Sequence, residues 1–191
     1  MALSQGTALL LIDVQQGFDE PRWGARNNPD AERRIAELLD GWRSTGRPVI
    51  HVQHMSREPG SPLWPGHPGN AFKPEATPVP GEPVFQKQVN SAFIGTALER
   101  HLREHGIETV VLVGITTDHC VSTTARMAAN LGFTTIVVAD ATSTFERIGH
   151  DGERYTAEQM HRLALASLHG EFAIVRQTGE LLAELGIAGA A

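Results

Sequence analysis

Cysteine is nearly missing from this sequence of 191 residues: Cys120 stands alone, so no disulfide can close within the chain. Long hydrophobic runs are missing as well. No apolar stretch approaches the roughly 20 residues that a membrane-spanning helix needs, and the opening run MALSQGTALLLIDV lacks a basic n-region before it meets Asp13. These absences predict a soluble, cytoplasmic protein with no membrane partner. Positive charge is in short supply too: 16 Lys and Arg stand against 22 Asp and Glu, a net charge of -6, which leaves no footprint for nucleic acid. Neither GxGxxG nor GxxxxGK[ST] occurs, so no nucleotide cofactor is implied. Internal repeats and low-complexity segments are absent.

What remains is 41% hydrophobic, enough for one sizeable core, and no linker divides residues 1–191, so one domain is expected. Apolar, β-rich runs at Thr7 to Ile12, Pro48 to Val52, Thr109 to Val113, Thr134 to Ala139 and Phe172 to Val175 read as buried strands. Helical spacing fills Pro29 to Thr45, Ser91 to His105, Val121 to Leu131 and Thr156 to Leu168, with Gly46, Gly106, Gly132 and Gly170 placed as C′ residues. This alternation predicts an α/β fold, a three-layer α/β/α sandwich around a mostly parallel, Rossmann-like doubly wound sheet. One stretch breaks the rhythm. Residues 56–83 hold eight of the 11 prolines, so neither helix nor regular strand fits there. Trp64 and Phe72 would anchor it as an ordered flap, over a pocket or at a subunit interface.

Ligands of a doubly wound sheet bind beyond the carboxyl ends of its strands. Three chemically able residues fall in such places: Asp13 after LLLI, Cys120 after VVLVGITTDH, and Lys87 after the short run Pro83 to Gln86, which reads as a strand end or the end of the loop. Each also has a plainer reading. Cys120 fits an inert core thiol, Asp13 a turn cap and Lys87 a solvated charge. At the start of a helix, the macrodipole would lower the Cys120 pKa and favour thiolate. Together the three supply a nucleophile, a base and a cation, and neighbouring amides would supply oxyanion donors.

The segments LLLIDVQQGF at 9–18, FQKQVNSAFIGTALERHL at 85–102, GITTDHCVSTTARMAANLGF at 114–133 and VVADAT at 137–142 resemble the isochorismatase-like cysteine hydrolase superfamily. That group includes nicotinamidases, N-carbamoylsarcosine amidases, ureidoacrylate and biuret amidohydrolases, and isochorismatases. The resemblance implies that Asp13 is the general base and acid, Lys87 the cation and Cys120 the nucleophile. Lys73 is not the counterpart, because Lys87 precedes the Asn-Ser-Ala-Phe run that follows the superfamily's lysine. It also implies a cis bond between Ile115 and Thr116, with the Thr116 and Cys120 amides forming an oxyanion hole. Relatives commonly form dimers or tetramers, so a homo-oligomer is expected.

Nicotinamidases of that group bind a metal through an Asp-x-His motif, and the corresponding stretch here, His51-Val52-Gln53-His54-Met55, lacks it. No cofactor is therefore expected, with a divalent metal on His51, His54 or His67 as the lesser alternative; His51 and His54 should point to opposite faces of a strand. His101 and His105 read as a solvated helix face, and His119 as a polarising neighbour of Cys120 or a cover for the helix start. Phe18, Trp64 and Thr117 are candidate substrate-lining residues, each also compatible with a core or interface place. The favoured reading is a cysteine-dependent hydrolase of a small carboxamide or carbamoyl compound, working through a thioester. An isochorismatase-type vinyl ether hydrolase and a non-catalytic binding module are the alternatives.

Overall fold

A computed structural model describes residues 3–187 of the chain. In order, the elements are β1 (Ala8–Ile12), α1 (Ala31–Ser44), β2 (Val49–His54), β3 (Val84–Lys87), α2 (Leu98–Glu104), β4 (Thr109–Ile115), a π-helical turn (Thr117–Val121) that runs into α3 (Ser122–Asn130), β5 (Thr134–Ser143), β6 (Arg147–Ile148), β7 (Arg154–Tyr155), α4 (Ala157–Leu168), β8 (Ile174–Arg176) and α5 (Thr178–Glu184). Six strands form one parallel sheet in the order β3-β2-β1-β4-β5-β8, and β6 pairs with β7 as a small antiparallel hairpin.

Both faces of this sheet are covered, which is why its strands read as continuous apolar runs. Alternation divides them: Leu10, Ile12, Val110 and Leu112 pack with Leu98 and Leu102 of α2, Ala125 of α3 and Leu168 of α4. Their neighbours Leu9, Leu11, Val111 and Val113 pack on the other side with Ile35, Leu38 and Trp42 of α1 and Leu181 of α5. The three-layer α/β/α arrangement is the expected one. The order reverses between β1 and β4, so a crevice opens at their carboxyl ends. Among the described residues, no helix is long and apolar enough to cross a membrane.

The differences from expectation are local. The helix expected from Ser91 to His105 shrinks to Leu98–Glu104, because Gly95 takes φ 73°, outside helical space. β2 and β5 run on to His54 and Ser143, past their apolar cores into polar ends that reach the crevice. The β6–β7 hairpin and α5 are too short to leave a periodic signal. All four C′ glycines do adopt positive φ, between 63° and 88°.

Residues 56–83 lack strand and α-helix and carry 3-10 turns at Pro68–Asn70 and Pro74–Ala76. Order comes from buried amides. Asn70 Nδ2 donates to the carbonyls of Leu63 (2.7 Å) and His54 (2.9 Å), and Gln15 Nε2 donates to the Asn70 carbonyl (2.8 Å). Phe72 anchors the loop as expected, its ring edge-on to His51 at 5.6 Å. Trp64 does not. It is 38% exposed, and its neighbour Leu63, 5% exposed, fills the anchoring place.

Candidate active site

Parallel pairing sets His54 and Lys87 side by side as the last residues of β2 and β3, which makes Lys87 a strand end rather than a loop end. Asp13 follows β1 directly and turns the chain at φ 52°, a conformation that Asp tolerates. Its side chain caps no local amide; it points to Lys87 instead. Cys120 lies in the π-helical turn after β4, and that turn comes close to Asp13 because of Gly114. At φ 124° the glycine passes so near β1 that a Cβ there would stand 2.0 Å from the Ile12 carbonyl oxygen.

Lys87 Nζ is the centre of the site. It donates to Asp13 Oδ2 at 2.6 Å, to His54 Nδ1 at 3.1 Å and to Cys120 Sγ at 3.4 Å, so each of its three protons has an acceptor. The Lys87 and Asp13 side chains have no solvent exposure. Asp13 Oδ1 is buried with no hydrogen-bond partner among the described residues, which leaves a vacant acceptor on the carboxylate. Burial pulls the Lys87 pKa down, but the Asp13 carboxylate, with the Cys120 sulfur after it, outweighs burial and holds the ammonium above the ordinary lysine range. Burial and then Lys87 lower the pKa of His54, consistent with a neutral ring accepting at Nδ1. For Cys120 the expectation of a lowered pKa is overturned. The thiol is 8% exposed; burial first, and the Asp13 carboxylate second, push it well above its usual range despite Lys87. The resting sulfur is a thiol.

A cavity of about 150 Å³ opens on Cys120 and is lined by Asp13, Phe18, Trp23, His54, Leu63, Asn90, Thr116, His119 and Arg147. Phe18 lines it, packed against Trp23 and Phe145 at ring distances of 5.3 and 6.2 Å. Trp64 does not line this cavity. Neither does Thr117, which is fully buried with its hydroxyl 2.9 Å from His161 Nδ1 beneath the turn. Thr116 does line it, and the Ile115–Thr116 bond is cis, as the resemblance implies. His119 stands at the rim, its side chain 54% exposed and 3.6 Å from Asp118. Lys73 lies elsewhere, bonded to Asp19 and Glu32. His101 on α2 and His105 just past its end contact one another at 4.1 Å between ring centroids, away from the cavity lining.

His51, His54 and His67 form no joint metal site. His51 bonds Glu82 at 2.8 Å, and His67 Nδ1 accepts from the Gly69 amide at 3.0 Å. Among the described residues, one group of three has ligand atoms within 4.8 Å of one another: Asp13, His54 and Cys120. Lys87 already bonds all three, so the ammonium occupies the position a metal would take and the donor set does not fit an added ion.

Trp23, Leu63, Asn90 and Arg147 were not singled out in the sequence, and His54 was weighed only as a metal ligand. Arg147 had a signal: it follows the long strand β5, on the same side of the sheet as Cys120. Leu63 and Trp23 had none, since irregular segments carry them.

Comparison with known proteins agrees with this architecture. The sequence profile of the isochorismatase domain matches residues 7–180. The isochorismatase family protein YrdC of Bacillus subtilis is 44% identical, covering 94% of this chain and 96% of YrdC. Ureidoacrylate amidohydrolase RutB of Methylobacterium radiotolerans is 29% identical over 95% of this chain and 80% of its own. The crystal structure of an isochorismatase family protein from Chromobacterium violaceum superposes with a TM-score of 0.94 at 47% identity, covering 97% of this chain and 98% of that one. With profile, relatives and fold in agreement across nearly its whole length, the chain belongs to the isochorismatase family of hydrolases.

Proposed function

We propose that this hydrolase cleaves the C–N bond of a small carboxamide or carbamoyl compound, with Cys120 as nucleophile. The observation that carries the reading is Lys87 Nζ between Asp13 (2.6 Å) and Cys120 Sγ (3.4 Å) at the floor of the cavity. Asp13 Oδ1 takes the thiol proton, and the sulfur attacks the carbonyl carbon, forming the C–S bond while the carbonyl π pair moves to oxygen. The Thr116 and Cys120 amides receive that oxyanion. Collapse re-forms the carbonyl and breaks the C–N bond, as protonated Asp13 gives its proton to the departing nitrogen. Water then adds to the thioester, losing a proton to Asp13. The C–S bond breaks, the proton returns to sulfur, and the carboxylic acid leaves.

A thiol with a raised pKa suits this sequence, because the proton moves only when a carbonyl is in place to receive the sulfur's electrons. Lys87 sets its charge beside the Asp13 carboxylate and stabilises the nascent thiolate. The residues bring every proton the cycle needs, so no cofactor is called for. The name of RutB, an amidohydrolase, supports the C–N reading over the vinyl ether alternative. A reducing compartment such as the cytoplasm suits a lone thiol nucleophile, and a dimer or tetramer remains part of the proposal.

Ammonia release from a panel of small amides and ureides tests it. Cys120→Ala should abolish turnover, and Asp13→Asn should lower kcat by roughly 10² to 10⁴. Ammonia release that survives Cys120→Ala would overturn the cysteine nucleophile, and a panel with no substrate would favour the vinyl ether hydrolase or the binding module.

A further inference from the structure

Arg147 is a cation in the cavity wall that the hydrolytic steps leave unused. It sits in β6, beyond the end of β5, in register with Tyr155 of β7. Its Nε donates to Asp118 Oδ2 at 3.2 Å, and Asp118 is fixed in turn by the Thr144 hydroxyl. Among the described residues, no acceptor meets the two terminal nitrogens of this guanidinium, whose side chain is 27% exposed. Asp118 therefore holds the group by one edge and leaves its outer nitrogens unpaired.

The charges around the cavity sharpen the point. Asp13 is matched by Lys87, and Asp118 faces both Arg147 and His119. Of the remaining wall, Phe18, Trp23 and Leu63 are apolar, and His54, Asn90 and Thr116 are polar without a formal charge of their own. A planar fork of N–H donors against an aromatic wall suits a planar two-oxygen anion. The volume of about 150 Å³ is well below the roughly 300 Å³ at which pockets for drug-sized ligands begin, so the occupant is small.

We infer that Arg147 binds a carboxylate of the substrate, so that the amide or ureide cleaved at Cys120 belongs to a small amido acid or ureido acid. This rests on the hydrolytic reading above, narrows it from neutral amides to acidic ones, and makes Arg147 the residue that sets specificity. Asp118, by holding the guanidinium before substrate arrives, removes part of the ordering cost of binding.

Protection of Cys120 against iodoacetamide tests this without requiring turnover. The competitors are two pairs differing in one group: succinamate against succinamide, and N-carbamoylglycine against N-carbamoylglycinamide. In the unmodified protein the acid of each pair should protect at about tenfold to hundredfold lower concentration than its neutral partner, as a charge-assisted contact implies. Arg147→Gln should erase that preference within each pair, and Arg147→Lys should keep part of it. Equal protection by acid and amide in the unmodified protein overturns the inference, as does an acid preference that survives Arg147→Gln. Should Arg147→Gln fail to fold, Arg147→Lys decides: a preference reduced but present supports the assignment, and one left at full strength counts against the fork. Arg147-dependent protection by acids without ammonia release would sink the hydrolytic reading and leave Arg147 a carboxylate-binding residue; equal hydrolysis of acids and neutral amides would keep the hydrolytic reading and overturn the role given to Arg147.

Discussion

Removing Lys87 strips three partners at once, because its ammonium bonds Asp13, His54 and Cys120 together. Lys87→Met should leave the Asp13 carboxylate buried without a counter-charge, at a cost of about 3 to 5 kcal/mol read from a denaturation midpoint. Its turnover should fall more than its KM rises; unchanged kcat would dismiss the role given to the lysine. Gly114→Ala is the backbone counterpart. A Cβ 2.0 Å from the Ile12 oxygen has nowhere to go, so the variant should lose more than about 4 kcal/mol or fail to accumulate folded, checked by circular dichroism and thermal melting. At this scale the sequence was informative where chemistry and strand ends coincide, as with Asp13 and Lys87. It misled on the Cys120 pKa, since the burial that raises it comes from packing between distant segments rather than from the local turn.

Two carboxylates tie the long loop and its neighbours to α1, and their titration gives the loop a pH signature. Burial pushes Glu32 up, yet Arg26 and Lys73 outweigh it and hold the carboxyl at about 2, from an ordinary 4.5. Glu82 is likewise held at about 2, burial opposing and Arg43, Val79 N–H and His51 prevailing. Both pKa values are depressed by folding, so their contribution to stability is complete above pH 4.5 and is lost as pH falls from 4.5 towards 2. A Glu82→Gln protein should show a flatter decline in melting temperature across that window; an identical decline would exclude the carboxylate as its source. The loop also meets the 3-10 turn Gln16–Asp19 that follows β1, at Gly17, where a Cβ would stand 2.9 Å from Leu63 Cδ2 and 2.9 Å from the Pro62 oxygen. Gly17→Ala should lift Leu63 from the cavity wall, raising KM severalfold and speeding alkylation of Cys120 by iodoacetamide. The loop's irregularity was legible from its prolines. Its anchors were not, because Asn70 and Gln15 act through amides that meet across 55 residues of chain, a distance that periodicity cannot sense.

For the molecule as a whole, the β-α alternation announced the parallel sheet, and the reversal of strand order between β1 and β4 explains why the candidate residues gather there. Each half of the winding contributes: Asp13, His54 and Lys87 from one side, Cys120 and Arg147 from the other. What apolar runs could not convey is which loops lean over the crevice, since that depends on contacts between halves. Size-exclusion chromatography with light scattering should return a dimer or tetramer, and a monomer at working concentration would remove the oligomer from the proposal. The position of the Lys87 ammonium among a carboxylate, an imidazole and a sulfur has one further consequence. The centre carries its counter-ion on a covalent leash, so dilution cannot deplete it and a chelator cannot extract it. Exhaustive dialysis against EDTA should therefore leave the rate where it was, and a rate restored only by adding back a divalent salt would show that the leash is not sufficient.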